Sequence, residues 1–376
     1  MSSVPFSYNG IEIDMLSLGD ADCIVVTHWT FSMPHRVLID GGCGANYDEI
    51  LGFLQSHGYT WFSAVVCTHC HNDHAAGLIR LVNNRNLTFL SAWMHDIRNH
   101  VSSDSLRRAA SADDGVKQVL ETTEELASVF RSRSICVREP FAGMSIAPFP
   151  TLTVLGPTEA YYKRVVAEFT NVRAPMSRFM PLSSSVAAML GGAPVRAGIV
   201  GRIPSGSPNY LMPLASRATL MSGLLAASSV QTKPETQTFN NTSTILGMVH
   251  GGLRYMFTAD AGSDALDQVP QEWNSLDWMQ VPHHGSEDNL SQPNIERFCP
   301  KAAFVSAKGD TSHPSRIIAN ALMKCGGSVY STHENGHLRR WYGTVPARSG
   351  YGAATPMKST GGKNPFIPPT RRIVPI

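Results

Sequence analysis

Nowhere in the 376 residues is there a run of about 18 apolar residues, so the sequence predicts no membrane-spanning helix. The segment Met1 to Gly10 has no basic stretch leading into an apolar core, which argues against a signal peptide. Charge is scarce too. Asp, Glu, Lys and Arg make up 16% of the chain, and the net charge of +2 is too mild to announce a nucleic-acid partner. Any such partner has to be argued from local patches. Cysteines are few, scattered and odd in number, seven in all, which excludes a disulfide framework. Cys23, Cys43, Cys67, Cys136, Cys299 and Cys325 sit in apolar or turn contexts and read as reduced core residues. These absences together predict a cytoplasmic protein with no membrane partner.

What is present is ordinary globular composition, 43% hydrophobic, with 31 Gly and 24 Pro for turns. Ile11 to Leu16 alternates apolar and polar residues as a half-buried strand does, and Asp22 to Val26 and Arg36 to Asp40 read as its partners. Residues 47–56 have helical spacing. Ser63 to Cys67 is a short continuous apolar run, expected of a buried strand. Ala75 to Val82 and residues 104–131 read as helices. Strands come next at Leu152 to Leu155, at Thr244 to Val249 paired with Tyr255 to Thr258 as a hairpin, and at 279–281, 302–305 and 328–330. A helix is expected from Ser315 to Cys325.

Two segments differ. Residues 159–239 are rich in Pro, Ser, Ala and Met, weakly periodic, and carry eight Lys/Arg against three acids. So long a stretch is unusual inside a compact domain and reads as an insertion, a candidate lid or regulatory segment with bonds open to a protease. Residues 344–376 hold five Lys/Arg and no acid. They read as a basic, Pro/Gly-rich tail, exposed or loosely docked, after a domain spanning 1–343.

The chemistry concentrates in Thr68-His69-Cys70-His71-Asn72-Asp73-His74, directly after a buried strand. Imidazoles and a carboxylate are the ligands that Zn²⁺ and Mn²⁺ take. The spacing turns the groups two ways: His69 and His71 can share one ion while Asp73 and His74 reach a second. Cys70, between two ligands, is assigned no role. Asp260 ends an apolar strand, where a carboxylate is costly to bury unless it is paired or bound to metal; the competing reading is an N-cap. His283 and His284 also come directly after a strand end.

The string resembles the signature of the metallo-β-lactamase superfamily, and the chain is more closely similar to the hydrolase domain of the DNA-uptake competence proteins. The resemblance runs through Leu18 to Asp22, Leu38 to Gly42, Val154 to Pro157, Asn240 to Ser243, Phe257 to Asp260, Val281 to Ser286, Ser306 to Pro314 and Tyr330 to Thr332. It covers about residues 8–345 outside the insertion.

The resemblance implies an α/β (α+β) fold, the αββα sandwich of four layers with an inserted segment. It implies one or two ions, Zn²⁺ or Mn²⁺, held by His69, His71, Asp73, His74 and Asp260 as bridge. One of His283 and His284 completes the second site and the other contacts the substrate's anionic group; the residues leave open which. Asp73, Asp260 and His284 carry the catalysis. Asp40 supports a ligand histidine, and Asn241, Lys308 and His313 lie near the ions or the substrate. Many members supply a further histidine to the first ion from between the signature and the bridging aspartate. Here that interval offers only His95, His100 and His250, none in a matching motif, with His250 the best placed. Water, Asn240 or Asn241 can complete that site instead. The reaction implied is hydrolysis of a phosphodiester by a metal-bound hydroxide, with DNA as leading substrate and a regulatory protein or protease as possible partner. Lys and Arg of the insertion and tail suit phosphate contacts. The alternatives are hydrolysis of a small ester, lactone, β-lactam or phosphodiester, and a binding module that has lost activity.

Overall fold

Alternation along the first strands sets the layers. The computed structural model of the chain describes residues 7–147, 152–170, 238–310 and 313–359, with the backbone of 371–374. Strands β1 (Asn9–Met15), β2 (Ile24–Thr30) and β3 (Met33–Ile39) form an antiparallel meander with Ile13 opposite Val26 and Ile24 opposite Ile39. Successive side chains of a strand face opposite ways. Ile24 and Val26 accordingly enter an apolar cluster shared with a second sheet, while Val25 enters a cluster under helices.

The remaining strands are β4 (Trp61–Phe62), β5 (Ala64–Val66), β6 (Thr88–Phe89), β7 (Ser91–Trp93), β8 (Cys136–Arg138), β9 (Thr153–Gly156), β10 (Ile245–His250), β11 (Leu253–Phe257), β12 (Trp278–Gln280), β13 (Ala302–Val305), β14 (Ser328–Ser331), β15 (Leu338–Thr344), β16 (Tyr351–Ala353) and β17 (Arg371–Val374). Among the described residues they make a nine-stranded sheet in the order β16-β17-β15-β1-β2-β3-β5-β7-β8, a six-stranded sheet in the order β14-β13-β12-β11-β10-β9, and the small pair β4-β6. The helices are α1 (Tyr47–Ser56), α2 (Asn72–Asn83), α3 (Ser103–Ala112), α4 (Asp114–Ser132), α5 (Glu159–Thr170), α6 (Ser263–Leu266), α7 (Gln292–Phe298), α8 (Arg316–Lys324) and α9 (Thr332–Asn335).

Three apolar clusters show how these stack. One lies between the sheets and joins Ile13, Val26 and Val37 to Leu246, Phe257 and Phe304. A second packs the outer face of the large sheet, Val25, Leu38 and Val65, against Leu78, Val119 and Val166 of α2, α4 and α5. A third packs Met256, Met279 and Ala303 against Leu266, Ile295 and Ile318 of α6, α7 and α8. Helix, sheet, sheet, helix is the αββα order expected from the sequence. Each fully buried aliphatic side chain contributes roughly 1.5–3 kcal/mol to holding it.

Several expectations need correction. The single helix over 104–131 is two, because Asp113 leaves the helix and caps the next one, its side chain accepting a hydrogen bond from the Val116 amide. Cys136 is exposed on the edge strand β8 rather than in the core. Residues 159–170, placed at the start of the insertion, form α5, whose Tyr162, Val166 and Phe169 join the core; residues 171–237 lie outside the described residues. The tail is not loosely docked over its described part. Arg348 reaches the buried carboxylates of Asp14 and Glu12, Met357 is buried, and β16 and β17 extend the large sheet. No local pattern announces this, because the charge partners lie at the other end of the chain. Among the described residues, no helix is long and apolar enough to cross a membrane.

The parallel pairs β3-β5 and β11-β12-β13 put the ends of these strands at shared edges. The groups marked in the sequence sit just past these ends: Asp40 after β3, the His69–His74 string after β5, Asp260 after β11 and His283–His284 after β12. Helix α2 is brought close to the end of β3 by Gly77. A Cβ there would lie 1.8 Å from the Gly41 carbonyl oxygen, and that approach lets Gly41 N–H bond the His74 carbonyl at 2.8 Å.

Candidate metal centre

Thr68 leaves β5 and the chain turns straight into α2, whose first turn carries Asp73 and His74. Asp40 ties this turn down. Its Oδ1 accepts from the Thr68 amide at 2.8 Å, and its Oδ2 from the Thr68 hydroxyl at 2.7 Å and from His74 Nδ1 at 2.8 Å. Asp40 itself sits in the left-handed region, φ +57°, a conformation that an Asp before Gly-Gly tolerates.

The hydrogen-bond network assigns the tautomers of four histidines. His74 gives its Nδ1 proton to Asp40, so in the neutral ring its Nε2 carries the lone pair. The Thr68 hydroxyl has spent its proton on Asp40 and can only accept from His69 Nδ1, 3.3 Å away, which leaves a lone pair on His69 Nε2. His284 Nδ1 faces the Ser306 carbonyl at 3.0 Å, and His283 Nδ1 faces Asn289 Oδ1 at 2.7 Å. In the neutral ring of each, Nε2 is then the nitrogen that can accept a metal ion, with an outer partner fixing the ring as metal-ligating histidines require. His71 differs: its Nδ1 lies 3.0 Å from His69 Nε2.

These nitrogens converge on two carboxylates. Asp260 Oδ2 is 3.3 Å from His74 Nε2, 3.8 Å from His69 Nε2 and 3.7 Å from His283 Nε2. Asp73 Oδ2 is 3.4 Å from His284 Nε2 and 3.7 Å from His74 Nε2. Asp73, His74, Asp260 and His284 offer donor atoms all within 4.8 Å of one another. Among the described residues, His74 Nε2 and Asp260 Oδ1 are buried without a hydrogen-bond partner. Buried polar atoms without a partner call for an explanation, and nitrogen and carboxylate donors at this density fit divalent cations.

Without ions the electrostatics are strained. Burial pushes His69 well below the ordinary imidazole range and His71 to about 4. For His284, burial opposes the charge, but its hydrogen bond to Asp73 and the neighbouring Asp260 raise it to about 9. Asp73 and Asp260 also feel burial first, yet the charge of His74 holds both below the usual carboxylate range. The cluster stores protons where a cation would put positive charge.

Residues that carry no motif complete the frame. Gln280, at the end of β12, accepts from the Thr258 and Ala259 amides at 3.2 Å each and donates to Asp22 Oδ2 at 2.7 Å. It thereby ties the turn that delivers Asp260 to the segment before β2. Burial raises the Asp22 carboxyl to about 6. Asn289, fully buried, spends its Oδ1 on His283 and its Nδ2 on the Asp260 carbonyl. A polar side chain at the end of an apolar strand was a usable signal for Gln280; Asn289 offered none.

The structure also sorts the outlying expectations. His313 is near: its ring centroid is 5.7 and 5.9 Å from those of His283 and His284, and its Nδ1 is 3.5 Å from Asp20 Oδ2. Lys308 places its backbone amide on Asp20 at 2.8 Å while the residue itself is exposed. Asn240 and Asn241 come after Phe239, whose ring packs 5.2 Å from that of His71. Gly262 is held against Asn241, whose Oδ1 would lie 2.5 Å from a Cβ there. None of the three candidate histidines for the first ion joins the cluster. His95 stacks on Tyr162, His100 Nε2 bonds Glu139, and His250 packs between His28 and Tyr342. Cys70 is buried, its Sγ 4.0 Å from that of Cys67.

A cleft of about 370 Å³ opens onto the cluster, its lining including His71, Asp73, Asp260 and His283 together with Asp113 and Phe169.

The family model of the metallo-β-lactamase superfamily matches residues 18–96. ComE operon protein 3 of Bacillus subtilis (strain 168) is 27% identical over 113 residues, 29% of this chain. The chain matches only 15% of the length of that curated relative. Among solved structures, a diphosphatase of the PhnP family is 12% identical, with 79% of this chain and 86% of that one covered and a TM-score of 0.35. A hydrolase of the β-lactamase superfamily is 12% identical, with 41% and 72% covered and a TM-score of 0.26.

Proposed function

We propose that the chain is a metal-dependent phosphodiesterase acting on nucleic acid, DNA foremost, a reading supported by the match of residues 18–96 to the metallo-β-lactamase superfamily and by the candidate metal site. The observation that carries the reading is the position of Asp260 Oδ2, within 3.3–3.8 Å of the free nitrogens of His69, His74 and His283. One carboxylate oxygen facing three imidazoles suits a bridge between two cations, Zn²⁺ or Mn²⁺. Such a pair activates water near neutral pH and neutralises charge gathering on a phosphoryl group.

The chain's own residues then divide the work. Asp40 and Thr68 orient His69 and His74. Asp73 and His284 hold each other at 3.4 Å. His313, backed by Asp20 at 3.5 Å and with its ring 5.7 Å from that of His283, is assigned to the substrate. Asp20 is suited to backing it, because burial opposes its charge but the hydrogen bond from His313 keeps it ionised.

Nucleic acid as substrate rests on the sequence similarity to DNA-uptake competence proteins. One observation favours a second reading, a small ester, lactone, β-lactam or phosphodiester. The cleft is of small-ligand size and is lined by no Lys or Arg among the described residues. Incubating the protein with single- and double-stranded DNA in Mn²⁺, Mg²⁺ or Zn²⁺, beside a panel of lactones, β-lactams and nucleotide phosphodiesters, decides between them. Metal-dependent DNA cleavage is expected; turnover of the small substrates alone replaces DNA with them.

A further inference from the structure

We infer that the two adjacent histidines serve different ions: His283 completes the first site with His69 and His71, and His284 completes the second with Asp73 and His74. The assignment rests on the functional reading above and deepens it, since the sequence leaves one of the pair to the substrate and the first site short of a ligand.

Four observations carry it. First, His283 and His284 both adopt left-handed backbone, φ +47° and +55°, followed by Gly285 at +82°. Such a run of left-handed residues is costly for L side chains and persists where the surroundings enforce it. Its effect is to send consecutive rings to two places. His283 Nε2 comes to Asp260, 3.7 Å away, and His284 Nε2 comes to Asp73, 3.4 Å away. Second, His283 lines the cleft together with His71 and Asp260, whereas His284 is buried and does not line it. Third, His283 is oriented as a ligand is. Asn289 takes the Nδ1 proton and with its remaining hydrogen bond fixes the Asp260 backbone, so one buried amide sets the ring and the bridging residue together. A histidine meant only to touch substrate needs no such coupling to the bridge. Fourth, the other sources are spent elsewhere, since His95, His100 and His250 are packed against partners outside the cluster.

The metal content of the full chain tests the assignment without reference to activity. Protein loaded with Zn²⁺ or Mn²⁺ and desalted should hold two equivalents by elemental analysis. His283→Ala and the size-conserving His283→Gln should each keep one. The pairing is read from double variants: His71→Ala with His283→Ala should still keep one ion, since both serve the same site, whereas His284→Ala with His283→Ala should keep none. Asn289→Leu should weaken one ion about 10- to 100-fold, the range for an outer partner of a ligand. Circular dichroism of each metal-free variant should match the wild type. Two tight ions in both His283 variants would overturn the assignment and return His283 to the substrate, as would loss of both ions from the His71/His283 pair. A wild-type chain that takes up no metal would overturn the functional reading along with it.

Discussion

His74 donates its Nδ1 proton to Asp40 Oδ2 at 2.8 Å, across thirty-four residues of sequence. Both side chains are buried, and the bond sets which nitrogen of His74 faces Asp260 and Asp73. Replacing Asp40 by Ala should leave a folded chain whose metal affinity falls about 10- to 100-fold, the usual cost of losing the outer partner of a ligand histidine. Isothermal titration of metal into the two proteins measures it; unchanged affinity would mean that Asp40 only shapes the turn.

Gly77 tests the backbone side of the same contact. Gly77→Ala places a methyl 1.8 Å from the Gly41 carbonyl oxygen, so α2 must move away from the end of β3. Overpacking of this kind costs about 1–3 kcal/mol. The melting temperature should fall, and metal affinity should fall with it because Asp73 and His74 ride on that helix.

Metal uptake should release protons. His284 is raised to about 9 in the ion-free protein, so below that pH an incoming cation displaces its proton and apparent affinity rises with pH, approaching about tenfold per unit for one proton. The stability of the ion-free chain runs the other way. The folded-state pKa of His284 lies above its ordinary 6.5, so the stabilisation from its ion pair is complete below 6.5 and fades as pH rises through about 9. Melting curves of the ion-free and loaded proteins over that window should diverge, the ion-free one falling.

The C-terminal segment should matter for folding and not for chemistry. Arg348 bonds both oxygens of Asp14 at 2.9 Å and pairs with Glu12, and these carboxylates are almost fully buried. Arg348→Ala leaves them short of a partner and should cost about 3–5 kcal/mol. Chemical denaturation gives the loss; metal stoichiometry of the folded fraction should stay at its wild-type value.

The parts of this molecule legible in the sequence are those whose signal is local. The His69–His74 string packs its ligands into six residues, and Asp260 and His283–His284 announce themselves as polar groups at strand ends. The sandwich was legible from alternation in β1 to β3 and from the similarity of the motifs. The hidden parts depend on pairing at a distance. Gln280 meets Asp22 across 258 residues and Arg348 meets Asp14 across 334, and no window of sequence contains both partners. Short strands such as β7 and β8, three residues each, are too brief for a period to show. The tail read as loose because its basic residues had no acid nearby in sequence, though two waited on β1.

The central claim is that the cluster around Asp260 hydrolyses phosphodiesters with bound metal. Its most direct test is the turnover of bis(4-nitrophenyl) phosphate by wild-type protein and by Asp260→Asn, each loaded with Mn²⁺ or Zn²⁺ and checked for intact folding. The account predicts turnover by the wild type that a chelator abolishes. It predicts a fall of more than about a hundredfold in the variant, beyond what an outer partner alone costs. Wild-type turnover in Asp260→Asn, or chelator-resistant hydrolysis by the wild type, would contradict it.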